Sequence, residues 1–159
     1  MATSNFERMI QLAEEVFDTR NDSQQLDVNE EVMKQLHALH PATLSEYDDG
    51  NGPVVWILLI PTTNEIMQQF LEHKINEQQV LAETPVDCTF DSIYLCSALV
   101  LPEYRGQGIA KKLTIEAIEH ICKTHSIKNL FVWPFSEGGD KLAKSIANTV
   151  GLPLFEKLI

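Results

Sequence analysis

Arg105-Gly106-Gln107-Gly108-Ile109-Ala110 is the stretch of this 159-residue chain whose residue types and spacing point at a chemistry. Two glycines one residue apart let the backbone approach a ligand without side-chain clash. The apolar residues after them recur at helical spacing, so a helix would aim its unpaired N–H groups and positive end into the turn. Such a turn cradles an anion. Arg105 adds a permanent cation, and Lys111 and Lys112 stand one turn inside the helix, where their stems reach a peripheral phosphate. Neither common nucleotide pattern fits: a Walker loop needs four residues between its glycines, and a dinucleotide fingerprint needs a third glycine where Lys111 stands. The competing interpretation is a strand-to-helix turn whose glycines merely save space.

A turn of this kind works only if a strand delivers it and a helix leaves it. Asp91 to Leu101 is a long apolar run of strand formers bounded by Pro102, and Ile109, Leu113, Ala117, Ile118, Ile121 and Cys122 mark a helix of about four turns within 107–125. Lys128 to Trp133 is the next strand, Asp140 to about Thr149 a short helix ended by Gly151, and Leu154-Phe155 begins a last strand. Upstream, Phe6, Met9, Ile10, Ala13, Val16 and Phe17 recur at helical spacing behind a Ser4-Glu7 capping box. A second helix, capped by Asp27 and carrying Val32, Met33, Leu36 and Leu39, stops at Pro41. Ser45 to Gly52 reads as an acidic loop, Pro53 to Ile60 as a strand buried on both faces, and Asn64 to about Leu81 as one helix capped by Thr63. The expectation is a single mixed α/β domain spanning 1–159, with helices on both faces of a twisted sheet and an N-terminal helical pair over one edge.

Composition bounds the function. Hydrophobic residues make up 44 % and charged residues 22 %, which excludes disorder, collagen and coiled coil. The longest apolar run, Val54 to Ile60, is too short to cross a bilayer, and Met1-Ala2-Thr3-Ser4-Asn5 opens no basic-then-apolar signal, so a cytoplasmic protein is expected. Cys88, Cys96 and Cys122 lack CxxC spacing, and free, mostly buried thiols are expected. A net charge of −11 argues against nucleic acid. That charge is uneven: residues 1–100 carry 17 acidic and 4 basic side chains, residues 101–159 carry 6 and 8. A compact anion is therefore welcome only in the last third.

The run Val100-Leu-Pro-Glu-Tyr-Arg-Gly-Gln-Gly-Ile-Ala110 resembles motif A of the GNAT superfamily of acyl-CoA N-acyltransferases, with Arg105, Gly108 and Ala110 in the defining places and Val100 and Pro102 in the lead-in. The likeness is firm over about 93–122 and thinner over 128–155. It implies a GNAT-like fold in which 91–159 binds acyl-CoA, most simply acetyl-CoA, and 1–90 forms a variable acceptor side. Arg105, Gly106, Gln107, Gly108, Ile109 and Ala110 would hold the pyrophosphate, and Val100 would meet the pantetheine chain as it adds like an extra strand. The implied activity is direct acyl transfer to an amine, and the alternative is a CoA-binding or regulatory domain without catalysis.

Two departures bear on that choice. Members often carry an Asn and later a Tyr after the following strand. Counting back from Gly151 puts Asp140, Ala143 and Ala147 in the Asn, Ala and Tyr places, whereas counting forward from the strand puts Ser136 in the Asn place. Neither supplies the Tyr that in the family commonly protonates the CoA thiolate, which leaves Ser136 as a weak candidate. Members also usually have a hairpin before the motif A strand, and here one strand is followed by the helix from Asn64. Tyr94 stands nearest the place of a family catalytic base, with Cys96 and Ala98 expected on its face, but a phenol with a pKa of about 10 is a poor base and packing suits it better. No metal is expected: His37 and His40 lie three apart without further ligands, and Cys122, three from His125, continues an apolar stripe. The implied acceptor is a small-molecule or peptide amine, cationic if the acidic loop Glu46-Tyr47-Asp48-Asp49 steers it, and a homodimer stays open.

Overall fold

The computed structural model describes residues 4–20, 30–134 and 137–157. Helices α1 (Asn5–Arg20) and α2 (Glu30–Leu39) come first, and the Glu7 N–H donates to Ser4 Oγ at 3.2 Å, as the capping box requires. Asp27, the expected cap of α2, lies outside the described residues. A 3₁₀ turn at Pro41–Thr43 leads into strands β1 (Leu44–Asp48) and β2 (Pro53–Thr62). The expected acidic loop is thus the first arm of a hairpin, and this supplies the hairpin that the sequence pattern did not show. Its Ser-Glu-Tyr-Asp run carries no apolar alternation because β1 is an edge strand, open along most of its length.

The single helix expected from Asn64 to Leu81 is two. Thr63 caps α3 (Asn64–Leu71), with Ile66 N–H donating to its Oγ1 at 3.3 Å. The chain then turns through His73, whose φ of 64° is left-handed, and restarts as α4 (Glu77–Glu83). Asn76 and Gln79 each accept from the other's backbone N–H at 2.9 Å, which fixes Glu77 as the first residue of α4. Strand β3 (Ser92–Val100) comes next, then α5 (Ile109–Cys122), β4 (Asn129–Val132), α6 (Glu137–Val150) and β5 (Leu154–Glu156). Helix α6 begins three residues before the expected Asp140, and Gly151, at φ 74°, ends it with its N–H on Ala147 O. The buried stripe of α5 is Thr114, Ala117, Ile118 and Ile121; Cys122 falls on the outer side and is exposed, against expectation. Cys88 and Cys96 are half-buried.

The five strands lie in the order β1-β2-β3-β4-β5, antiparallel through β3 and parallel from β3 to β5. Central β2 is buried on both faces, as its unbroken apolar run implies. Phe70 of α3 packs on Tyr94 of β3, and Phe6 of α1 packs edge-on against Trp56 of β2, so α1, α3 and α4 cover one face. Helix α1 therefore lies over the middle strands rather than over an edge. Helices α5 and α6 pack together on the other face.

Two irregularities in β3 break the regularity of the sheet. Leu58 pairs with Ser97 but Leu59 pairs with Leu95, so Cys96 is the extra residue of a β-bulge. The bulge disrupts strict alternation: Tyr94 and Cys96 share a face as expected, whereas Ala98 pairs with Ile57 and joins Leu95 and Leu59 on the opposite one. The second irregularity is that β3 pairs with β4 only from Ser92 to Tyr94, opposite Asn129 to Phe131. Past Tyr94, β3 has β2 on one side and no strand on the other.

Candidate functional site

The gap left where β3 parts from β4 is a cavity of about 160 Å³. Its walls are Leu95, Cys96, Ser97 and Ala98 of β3, Val132 to Pro134 after β4, and residues of α5 and α6 including Thr114, Ala143 and Ile146. The lining is largely apolar. Hydroxyl, thiol or indole donors come to it only from Cys96, Ser97, Thr114 and Trp133 among the described residues, and the Thr114 hydroxyl donates to Ala110 O at 2.7 Å.

Continuing along β3 leads to the glycine turn. A 3₁₀ turn at Pro102–Tyr104 reverses the chain, Gly106 and Gly108 take φ values of 76° and 78°, and Gly108 is the N-cap of α5. Left-handed φ at both positions is the physical reason for both glycines. A Cβ built on either would meet nothing within 4 Å, so the space beside both α-carbons is open. The first N–H groups of α5, which follow the turn directly, have no helical acceptors. Arg105 is exposed, and its Nε donates to Val100 O at 3.1 Å, tying the guanidinium to the end of β3. Val100, expected to meet the pantetheine chain, thus also holds Arg105 through its carbonyl.

The turn is anchored by contacts between distant parts of the chain that spacing does not reveal. Arg8 of α1 grips Glu103 with two hydrogen bonds of 2.6 and 2.7 Å, and this holds the Glu103 carboxyl down at about 2. The Tyr104 hydroxyl donates to Asp49 in the β1–β2 turn, which raises the phenol and lowers the carboxyl. Asp48 accepts from Gly50 and Gly52, and Asp49 also from Asn51 and Asn5. These acidic residues thus fold their own hairpin tip, which lies beside the glycine turn at the Val100 end of the sheet.

Tyr94 is fully buried and donates to Glu77, so it is a packing and hydrogen-bonding residue behind the cavity wall. Cys96 Sγ lies 3.8 Å from the same Glu77 carboxylate oxygen. Glu77 itself, 1 % exposed, was not singled out by the sequence, although the Asn76-x-x-Gln79 capping pattern around it was legible. Ser136 lies outside the described residues. Ala143 lines the cavity, whereas Ala147 is buried without lining it, and Asp140 is bound to Lys144 at 2.8 Å. His37 is exposed, and His40 is buried with its Nδ1 accepting from Ala42 N–H at 3.0 Å. No cluster of three metal-binding side chains occurs among the described residues, and no helix among them is long and apolar enough to cross a membrane.

Known proteins bear on the site through a family model. The model described as the acetyltransferase (GNAT) family matches residues 8–141, a span that runs from the Arg8 anchor through the glycine turn into α6. No curated protein and no solved structure matches the chain.

Proposed function

Because the chain belongs to the GNAT acetyltransferase family, we propose that it transfers an acyl group, acetyl in the simplest case, from acyl-CoA to an amine within a ternary complex. The observation that carries this reading is the continuity of the open β3 edge, the apolar gap beside it and the uncovered glycine turn at its end. That sequence of surfaces matches a long ligand with a hydrogen-bonding chain in the middle and a diphosphate at one end. Arg105 and the amides of 106–110 would take the diphosphate, and the strand edge would take pantetheine. The acyl group would then arrive near the Cys96 bulge, where backbone groups released from the ladder can polarise its carbonyl. Direct attack by a neutral amine needs mainly alignment of the two substrates, which a fixed slot provides.

The acceptor favoured by charge is a cationic amine such as a polyamine or a basic peptide, since residues 1–100 carry the large acidic excess. The support is the field of that whole region rather than Asp48 and Asp49, whose oxygens serve the hairpin tip. A non-catalytic CoA-binding domain is the second reading. It is favoured by the face that α6 turns to the cavity, where Gly139, Leu142, Ala143 and Ile146 offer no side-chain proton donor. Release of free thiol from acetyl-CoA, followed with spermidine, a Lys-rich peptide and an acidic amino acid, separates the two readings. Turnover on an amine with a matching acetylated product supports transfer. CoA binding without turnover on any amine supports the second reading.

A further inference from the structure

Resting on the acyl-transfer reading, we propose that Cys96 and Glu77 form a proton relay that removes the proton from the acceptor nitrogen. Glu77 is a carboxylate 1 % exposed, brought to β3 by α4, the second of the two helices between the hairpin and that strand. A carboxylate out of water persists only with polar partners. Tyr94 supplies one through its hydroxyl, and the Cys96 thiol supplies another, with Sγ 3.8 Å from the same oxygen. Tyr94 is fully enclosed, but Cys96 stands on the cavity wall at the bulge. Cys96 is therefore the residue that both lines the space where acyl carbon and amine would meet and reaches the buried carboxylate.

The step balances without a further reactant. Nitrogen bonds to the acyl carbon, the carbon–sulfur bond to CoA breaks, and CoA leaves as thiolate. The proton on nitrogen passes to Sγ while the thiol's own proton passes to Oε2 of Glu77. The thiol is regenerated, and the carboxyl returns its proton to solvent before the next cycle. Cys96 is the catalytic residue in this scheme, whereas Glu77 acts through it and Tyr94 positions the carboxylate. Oε2 of Glu77 accepts from the Tyr94 hydroxyl and faces the Cys96 thiol, both of β3. A buried cation, Lys157, lies with its Nζ 4.4 Å from the centroid of Phe70, the ring that packs on Tyr94.

The test is the pH dependence of kcat for an amine acceptor in the wild type, Glu77→Gln, Cys96→Ala and Cys96→Ser, with CoA affinity measured in parallel. General base assistance is worth roughly 10²–10⁴-fold, so Glu77→Gln and Cys96→Ala should each lose about that much in kcat and lose the acid limb of the profile. For Glu77→Gln, CoA affinity should stay within about twofold, because Glu77 lines neither the cavity nor the glycine turn. The double variant should be no slower than either single one, and Cys96→Ser should recover part of the rate. Should Glu77→Gln fail to fold, Cys96→Ala carries the same expectation from the cavity wall. A Cys96→Ala enzyme within threefold of wild type with its acid limb intact overturns the relay while leaving acyl transfer standing. An acetyl group found on Cys96 after incubation with acetyl-CoA alone overturns it in favour of a covalent intermediate. A wild type that binds CoA and acetylates no amine overturns the relay together with the reading beneath it.

Discussion

Replacing Ala143 with Leu should separate the slot from the stability of the fold. Ala143 is buried on α6 and lines the cavity of about 160 Å³ beside the open edge of β3. Leucine adds three carbons, and burying them contributes up to about 2.4 kcal/mol at ~0.8 kcal/mol per methylene if the space receives them. Imperfect fit costs about 1–3 kcal/mol, so the two effects nearly cancel in the unliganded protein. In a domain of this size about 1 kcal/mol moves Tm by roughly 2–4 °C, so the variant should melt within about 6 °C of wild type. Pantetheine, by contrast, must then compete with the new side chain. The same overpacking of about 1–3 kcal/mol, now charged against the complex, weakens CoA binding by about 5- to 150-fold. Thermal melts and isothermal titration with CoA read the two quantities separately. A CoA affinity within twofold of wild type, with the variant folded, would refute the placement of the pantetheine chain in the gap.

Arg105→Glu should weaken CoA binding by about 1.5–3 kcal/mol or more, because a charge-assisted contact becomes a repulsion, and titration calorimetry in low salt reads it. Gly108→Val should weaken CoA binding while also destabilising the fold, since a β-branched residue is strained at φ 78°; a variant that binds and melts like wild type contradicts the left-handed turn. Glu103, held at about 2 by Arg8, lends stability that is complete above the ordinary carboxylate range and disappears as pH falls toward 2. Arg8→Ala should flatten that part of the urea-denaturation profile, and an unchanged slope would remove the anchor. His40 is pushed down by burial and by His120 and His125, so the unfolded chain takes up its proton first and stability falls as pH drops below about 6.5. His40→Asn keeps an acceptor for Ala42 N–H and should remove that loss in denaturation curves at pH 7.5 and 5.5.

What could be seen in the sequence was whatever is encoded locally. The glycine turn, its strand and its helix arise from dihedral limits and apolar spacing within about thirty residues, and central β2 announces itself because both of its faces are buried. Strand β1 was missed for the opposite reason: an edge strand needs little apolar surface, and Ser45-Glu46-Tyr47-Asp48 reads as a loop. The helix from Asn64 was read through His73 because its apolar spacing continues past the break, although the Asn76–Gln79 cap marked the restart. The Cys96 bulge depends on register with β2, and Glu77 meets β3 residues 17 and 19 positions away, so neither has a local signature. The Arg8–Glu103 anchor spans 95 positions and is likewise a product of the tertiary fold.

Amide shift mapping of the labelled protein during titration with CoA bears most directly on the claim that the parted strands and the glycine turn hold an acyl-CoA. The account predicts saturable binding with the largest shifts at 95–100 along β3, at 106–110 in the turn and on the cavity face of α6. Saturable binding with shifts confined to other surfaces, or no binding at all, would contradict it.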